Sequence, residues 1–406
     1  MGGSCGEYRC AVAYLCAVQQ VILHRKKLAS VQRRHPWVFS GAIFKKPADL
    51  ADGARVSVVD DKQQQLAVGH YQDGSIAVRL FHFGTEQIGI DFWSRKIRAA
   101  YALRERLGLT TDPDTNCYRL VHAEGDGLPG LIIDVYGSTA VLQCHSIGMH
   151  HERKHLTAAV AALPNIEAVY DKSAAVLPER YATEVGNAYL HGTAAPGVVR
   201  EHGHTFYVDW ETGQKTGFFL DQRDNRQLLT HYAADRTVLN AFCYSGGFSV
   251  YALGAGARHV TSVDVSKPAI GWTDRNVALN GNEDRHTSHA ADVLRFLREN
   301  ETRYEVNVID PPAFAKNVRK RHNAVQGYKR LNALAIQRTA PGGLLFTFSC
   351  SQVVDRELFR NTLTAAAIEA GREVRILHHL SQPADHPVSA FHPEGGYLKG
   401  LVCQVV

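Results

Sequence analysis

Nothing in the cysteine pattern of this chain organises it. Its 8 cysteines are scattered over 406 residues, and no two form a Cys-x-x-Cys pair. Neither a disulfide framework nor a zinc ribbon is expected, and such thiols suit a reducing compartment, here the cytoplasm. The 21 histidines suggest no ligand constellation, so no metal is expected. No apolar run approaches the roughly 18 residues of a membrane span, so no membrane partner is expected. Internal repeats, low-complexity tracts and long linkers are lacking too. The one signal-like stretch, RCAVAYLCAV from Arg9, has a short apolar part with little basic charge before it. It runs into Gln19 and Gln20, so residues 1–20 read as a disordered or mis-started extension rather than a cleaved signal.

What is present is ordinary globular composition, 45% hydrophobic and 21% charged. The length suggests two or three domains, with enough chain for a sizeable core. A formal charge of +5 and a pI near 8.7 permit an anionic partner without demanding one. A homodimer is compatible with all of this.

Residues 21–90 alternate in short strand-like pieces, QVILH, RVSVVD, LAVGHY and IAVRLF, separated by turn signals. This is the pattern of a small barrel or sandwich. The stretch from Asp91 to Leu109 has apolar residues at helical spacing. Glycine-rich turns and strands follow, then a helix near 151–162, so residues 91–205 read as a small α+β module. From Phe206 to the end the pattern changes. TVLNAF, HVTSVDV, EVNVID and GLLFTFSC are apolar strands alternating with helices, which implies an α/β, doubly wound parallel sheet.

In such sheets ligands sit beyond the carboxyl ends of the strands. The first strand runs into Gly246 and Gly247, where a backbone can approach a ligand closely. The spacing there is not the G-x-G-x-x-G that a dehydrogenase would need. The second strand ends in Asp264, suited to a ribose diol or to capping the next helix. Asp292 follows; it could accept from an adenine amino group or cap its own helix. The fourth strand ends in Asp310, Pro311 and Pro312. The order of glycine turn, acid, acid and DPP points to an adenosyl cofactor without a pyrophosphate, S-adenosylmethionine. The next strand ends in Cys350, either a packing residue or a thiol facing a substrate.

GQKTGFFLDQRDNR (213–226), FCYSGGFSVYA (242–252), DPPAFAK (310–316), LLFTFSCS (344–351), ADHPV (384–388) and GGYLKGL (395–401) together resemble the class I S-adenosylmethionine-dependent RNA methyltransferases. Within that class they resemble the large-subunit ribosomal RNA cytosine-5 methyltransferase family. VILHRKKLASVQRRHPWVFSGAI (21–43) resembles the opening of that family's PUA domain, a small RNA-binding barrel. The resemblance covers nearly everything after residue 20. It implies a PUA-like domain, a linking α+β domain and a Rossmann-like methyltransferase domain, with ribosomal RNA as partner.

Cytosine C5 is a poor nucleophile until a thiolate adds at C6, so the reaction requires covalent catalysis. Family members that attack cytosine carry the cysteine either inside the fourth-strand motif or at the end of the next strand. The first place is DPPA here, so the resemblance implies Cys350 as nucleophile, with Cys243 packing beside the cofactor. It implies that Asp310 binds the cytosine edge and borders the cofactor, and it leaves Asp310 and a bound water as acceptors of the C5 proton. It gives Gln222 a cofactor contact and Arg223 a structural or phosphate contact. Two basic regions should meet RNA: Arg33 and Arg34 beside Trp37, and Lys316, Arg319, Lys320 and Arg321 after the DPP motif. Competing readings are an amino-group methylase of adenine or guanine, which would want an aromatic where Ala313 stands, and a non-catalytic RNA-binding factor.

Overall fold

The computed structural model describes residues 19–406, apart from 86, 87, 90, 184 and 316. Most of the expected N-terminal extension therefore lies outside the described residues. Gln19 and Gln20, however, already belong to a strand and pair with Val56 and Ser57.

The first sheet has six strands in the order Trp37–Phe39, Ile76–Phe83, Gln65–Tyr71, Arg55–Val59, Gln19–Leu23, Ile43–Lys45. Its two edge strands are joined by only the short turn Ser40–Ala42, so the sheet must curl back on itself as a barrel does. Alternating Val21, Leu23, Val56, Val58, Val78 and Leu80 fill its interior. The helix Phe92–Arg106 and the five-stranded sheet of 117–191 come next. Their core is continuous with the barrel's outer face, because Val68 and Phe81 pack with Trp93, Leu120 and Met149. A hairpin, Gly197–Glu201 with His204–Val208, pairs across the sequence boundary at 205 and packs its Val199 and Phe206 with Leu229 and Tyr251.

The remaining sheet has seven strands: β1 (Thr237–Ala241), β2 (His259–Asp264), β3 (His286–Ala290), β4 (Tyr304–Ile309), β5 (Thr339–Ser349), β6 (Val374–Leu380) and β7 (Lys399–Val405). The order is β3-β2-β1-β4-β5-β7-β6, and only β7 runs against its neighbours. The helix α1 (Arg223–Ala233) leads into β1, and α2 (Gly247–Gly254), α3 (Lys267–Leu279), α4 (Val293–Glu299), α5 (Arg321–Gln337) and α6 (Arg356–Ala370) supply the crossovers. Central strands such as β4 and β5 carry mostly buried, largely apolar residues because helices cover both faces. The strand order reverses between β1 and β4, and a crevice opens there beyond the strand ends.

Candidate active site

The turn after β1 is strained. Phe242 and Tyr244 take positive φ, 61° and 47°, which bulky residues rarely do unless the surroundings impose it. Gly246 (φ 77°) caps α2; a Cβ on it would come within 2.7 Å of Thr273 Cγ2. Asp264, the last residue of β2, braces this turn. Its Oδ2 accepts the Tyr244 N–H at 3.0 Å and its Oδ1 the Ser266 N–H at 2.9 Å. It does not cap α3, since Ser266 does so through Ala269 N–H. Each carboxylate oxygen still has a lone pair for a diol. Asp292 takes the capping alternative: its Oδ1 accepts the Arg295 N–H at 2.8 Å on an exposed helix start. Oδ2, which accepts no hydrogen bond from the described residues, is the freer oxygen for a ligand.

Across the crevice, Asp310 follows β4 and Cys350 follows β5. Cys350 is half-buried, whereas Cys117, Cys144, Cys243 and Cys403 are buried. Its Sγ lies 4.0 Å from Pro311 O. Burial, and then the neighbouring Asp221 carboxylate, push the Asp310 carboxyl up to about 7. Burial and the same two acids push the Cys350 thiol up to about 11. Burial first, and then the two acids, thus favour the protonated thiol.

The segment before α1 takes the structural alternative for Arg223 and ties Gln222 to the site. Gln222 is buried and donates through Nε2 to Asp310 Oδ2 at 3.0 Å, while its Oε1 accepts from Asn225 at 2.6 Å. It thereby holds Asp310 in place. Arg223 is buried and bonds Asp385 at 3.0 Å and Cys117 O at 3.0 Å, which places it out of reach of a phosphate. Arg226 sits against Glu201 at 2.7 Å and ties α1 to the hairpin. Sequence reasoning gave no role to two residues of the GGYLKGL stretch. The Tyr397 hydroxyl donates to Asp221 Oδ2 at 2.6 Å, and Lys399 reaches the carbonyls that flank the site. Asp221 Oδ1 is buried with no protein donor, a polar atom left for something that enters the site.

Of the expected RNA residues, Arg33, Arg34, Arg319 and Lys320 are exposed, and Lys316 lies outside the described residues. Trp37 is engaged elsewhere. Its Nε1 donates to Glu124 at 2.8 Å and its ring packs edge-on against His392, centroids 4.4 Å apart. Among the aromatics offered to solvent are Phe39 and Phe391, 48% and 51% exposed. They line a cavity of about 530 Å³ with Arg33 and His35.

Two ligand-like spacings escaped the sequence reading. His151-Glu152-Arg153-Lys154-His155 spells H-E-x-x-H, but the helix breaks at Glu152, whose carboxylate is taken by Arg55 at 2.7 Å and by His155. Gly125 to Gly130 spells G-x-G-x-x-G, but it joins two antiparallel strands and opens no helix onto a ligand. Among the described residues, His35, His392 and Glu394 alone approach metal-ligand spacing. The Trp37 N–H donates to His35 Nδ1 at 3.1 Å, which leaves the ring proton on Nε2, facing Glu394. This is a carboxylate between two imidazoles rather than a ligand set.

A seven-stranded sheet with one reversed strand, a strained glycine turn and an acid at the end of β2 define a Rossmann-like methyltransferase domain behind a barrel. Residues 147–401 match a family of S-adenosylmethionine-dependent methyltransferases, and residues 21–83 match a PUA-like domain. Proteins named ribosomal RNA large subunit methyltransferase I are similar along nearly the whole chain. That of Alteromonas mediterranea is 41% identical, covering 95% of this chain and 98% of its own. That of Escherichia coli O139:H28 is 38% identical, covering 95% and 99%. A candidate S-adenosylmethionine-dependent methyltransferase of Streptococcus mutans shares the fold at TM-score 0.81 and 22% identity, over 95% of this chain and 100% of that one. The chain belongs to the S-adenosylmethionine-dependent methyltransferase family, among relatives named ribosomal RNA large subunit methyltransferase I. S-adenosylmethionine is its cofactor, and the strained turn and the lone pairs of Asp264 fit that group.

Proposed function

We propose that this protein methylates C5 of a cytosine in large-subunit ribosomal RNA, through a covalent adduct between Cys350 and C6. The observation that carries the reading is the pair Cys350 and Asp310 at the ends of the adjacent strands β5 and β4, with a half-exposed thiol. The names of the relatives support the RNA substrate. Bound S-adenosylmethionine supplies an electrophilic methyl group; the turn at Gly246, Asp264 and Asp292 Oδ2 would hold it. Asp310, poised near neutrality, takes the Cys350 proton. The thiolate adds to C6 as Asp310 passes that proton to N3 of the base. C5, now enamine-like, would take the methyl; a base then removes the C5 proton as the C6–S bond breaks, and N3 returns its proton to Asp310, leaving the thiolate and neutral 5-methylcytosine. Asp221 Oδ1 can accept from the cytosine amino group.

The division of labour we propose assigns 21–90 to an RNA-recruiting PUA-like domain, 91–205 to a linking domain and 206–406 to the cytoplasmic chemistry. Arg33 and Arg34 meet RNA on the first, and Arg319 and Lys320 at the mouth of the last.

RNA carrying 5-fluorocytosine at the target tests this reading. Fluorine at C5 cannot leave as a cation, so an adduct should persist on denaturing gels when S-adenosylmethionine is present. Cys350→Ala should abolish adduct and turnover, while Cys243→Ala keeps both. Methylation by Cys350→Ala at near the parental rate would overturn the nucleophile assignment.

A further inference from the structure

Lys399 is the first residue of β7, paired with Ser349 in the antiparallel register, one residue before Cys350. Its side chain is buried, with the residue 4% exposed. Nζ donates to Ser351 O at 2.7 Å and to Tyr397 O at 2.6 Å. These carbonyls belong to the residue after Cys350 and to the tyrosine that bonds Asp221. The ammonium is thus fixed between the two chain segments that frame the thiol, and no carboxylate bonds it in the described structure. A buried ammonium held only by neutral carbonyls carries a desolvation cost, so its placement calls for a charge partner.

The groups around the thiol make that partner plain. Cys350 feels Asp310 from the end of β4 and Asp221 from the turn before α1, both opposing ionisation, and Lys399 from β7, favouring it. The Tyr328 phenol of α5 also faces it. Lys399 in turn feels Cys350 together with Arg356 and Asp355 at the start of α6. A covalent route through Cys350 must form a thiolate among acids, and twice, on addition and on expulsion.

We propose that Lys399 is the cationic partner of the Cys350 thiolate, a positioning residue that makes sulfur a competent nucleophile and leaving group in an otherwise acidic pocket. The inference rests on the nucleophile reading above. An opposite charge nearby shifts a pKa by about one to three units, so its loss should reduce the thiolate fraction about tenfold or more at a given pH.

The test is the pH dependence of Cys350 carbamidomethylation by iodoacetamide in the full-length protein, read by peptide mass spectrometry. Lys399→Gln keeps donors for the two carbonyls without the charge, Lys399→Met removes both, and Lys399→Arg restores the charge. Calorimetric binding of S-adenosylmethionine reports that each variant is folded. Gln and Met should move the titration midpoint upward by about one unit or more, and Arg should return it toward the parental value. An unmoved midpoint in folded Lys399→Gln, or loss of folding in both neutral variants, would make Lys399 a strut for two carbonyls and overturn the proposal. Because the titration uses no RNA, it stands apart from adduct trapping. A shifted midpoint with unimpaired RNA methylation would uphold the pairing and sink the nucleophile reading instead.

Discussion

Replacing Gln222 by leucine should move the titration of Asp310 in a direction and by an amount that the structure specifies. The Gln222 N–H bonds Asp310 Oδ2 and so favours the carboxylate; with the Asp221 charge and burial opposing it, the carboxyl stands at about 7. A hydrogen bond to a charged acceptor is worth about 1.5–3 kcal/mol, and one pKa unit corresponds to about 1.4 kcal/mol. Gln222→Leu should therefore raise Asp310 by about one to two units, while Asp221→Asn should lower it. Carbon-13 NMR of aspartate-labelled protein, with Asp310→Asn as the assignment control, reads both midpoints directly. The sign carries over to catalysis. If Asp310 must be ionised to take the thiol proton, the acidic limb of kcat/KM for RNA should move to higher pH in Gln222→Leu and to lower pH in Asp221→Asn. A midpoint that stays put or falls in Gln222→Leu would refute the coupling. A moved midpoint with an unmoved limb would remove Asp310 from the proton path.

Asp264→Ala should weaken S-adenosylmethionine binding about tenfold or more by calorimetry, from the loss of charged hydrogen bonds worth about 1.5–3 kcal/mol each; unchanged affinity would exclude the ribose role. Arg33→Ala with Arg34→Ala should weaken RNA binding and reduce its dependence on log salt by roughly 0.7–0.9 per lost phosphate contact, with cofactor affinity unaltered. An unchanged salt slope would remove this pair from the RNA surface. Point substitutions serve better here than truncation at residue 90, because Val68 and Phe81 share a core with Trp93 and their removal would expose it.

The central strands were legible because β1, β2, β4 and β5 are buried on both faces and need apolar runs. The edge strand β3, His286-Thr287-Ser288-His289-Ala290, was not, since an edge open to solvent sets no such requirement. The backbone positions of the candidate site were readable too: Gly246 lies in the turn after β1, and Asp264, Asp310 and Cys350 stand at or just past the ends of β2, β4 and β5. What escaped was the direction in which side chains spend their hydrogen bonds. Gln222 faces Asp310 across 88 residues, and Trp37 faces Glu124 across 87. No local pattern encodes either pairing, so one read as a cofactor contact and the other as an RNA contact beside Arg33 and Arg34. H-E-x-x-H at 151–155 and G-x-G-x-x-G at 125–130 fail in the opposite sense. They have the letters but lack the unbroken helix and the strand-to-helix turn that would aim those groups at one point. A spacing is evidence of a site only where the backbone keeps its period, and the charged groups around a candidate nucleophile, here Asp221 and Lys399 beside Cys350, are found by asking where each buried charge is balanced.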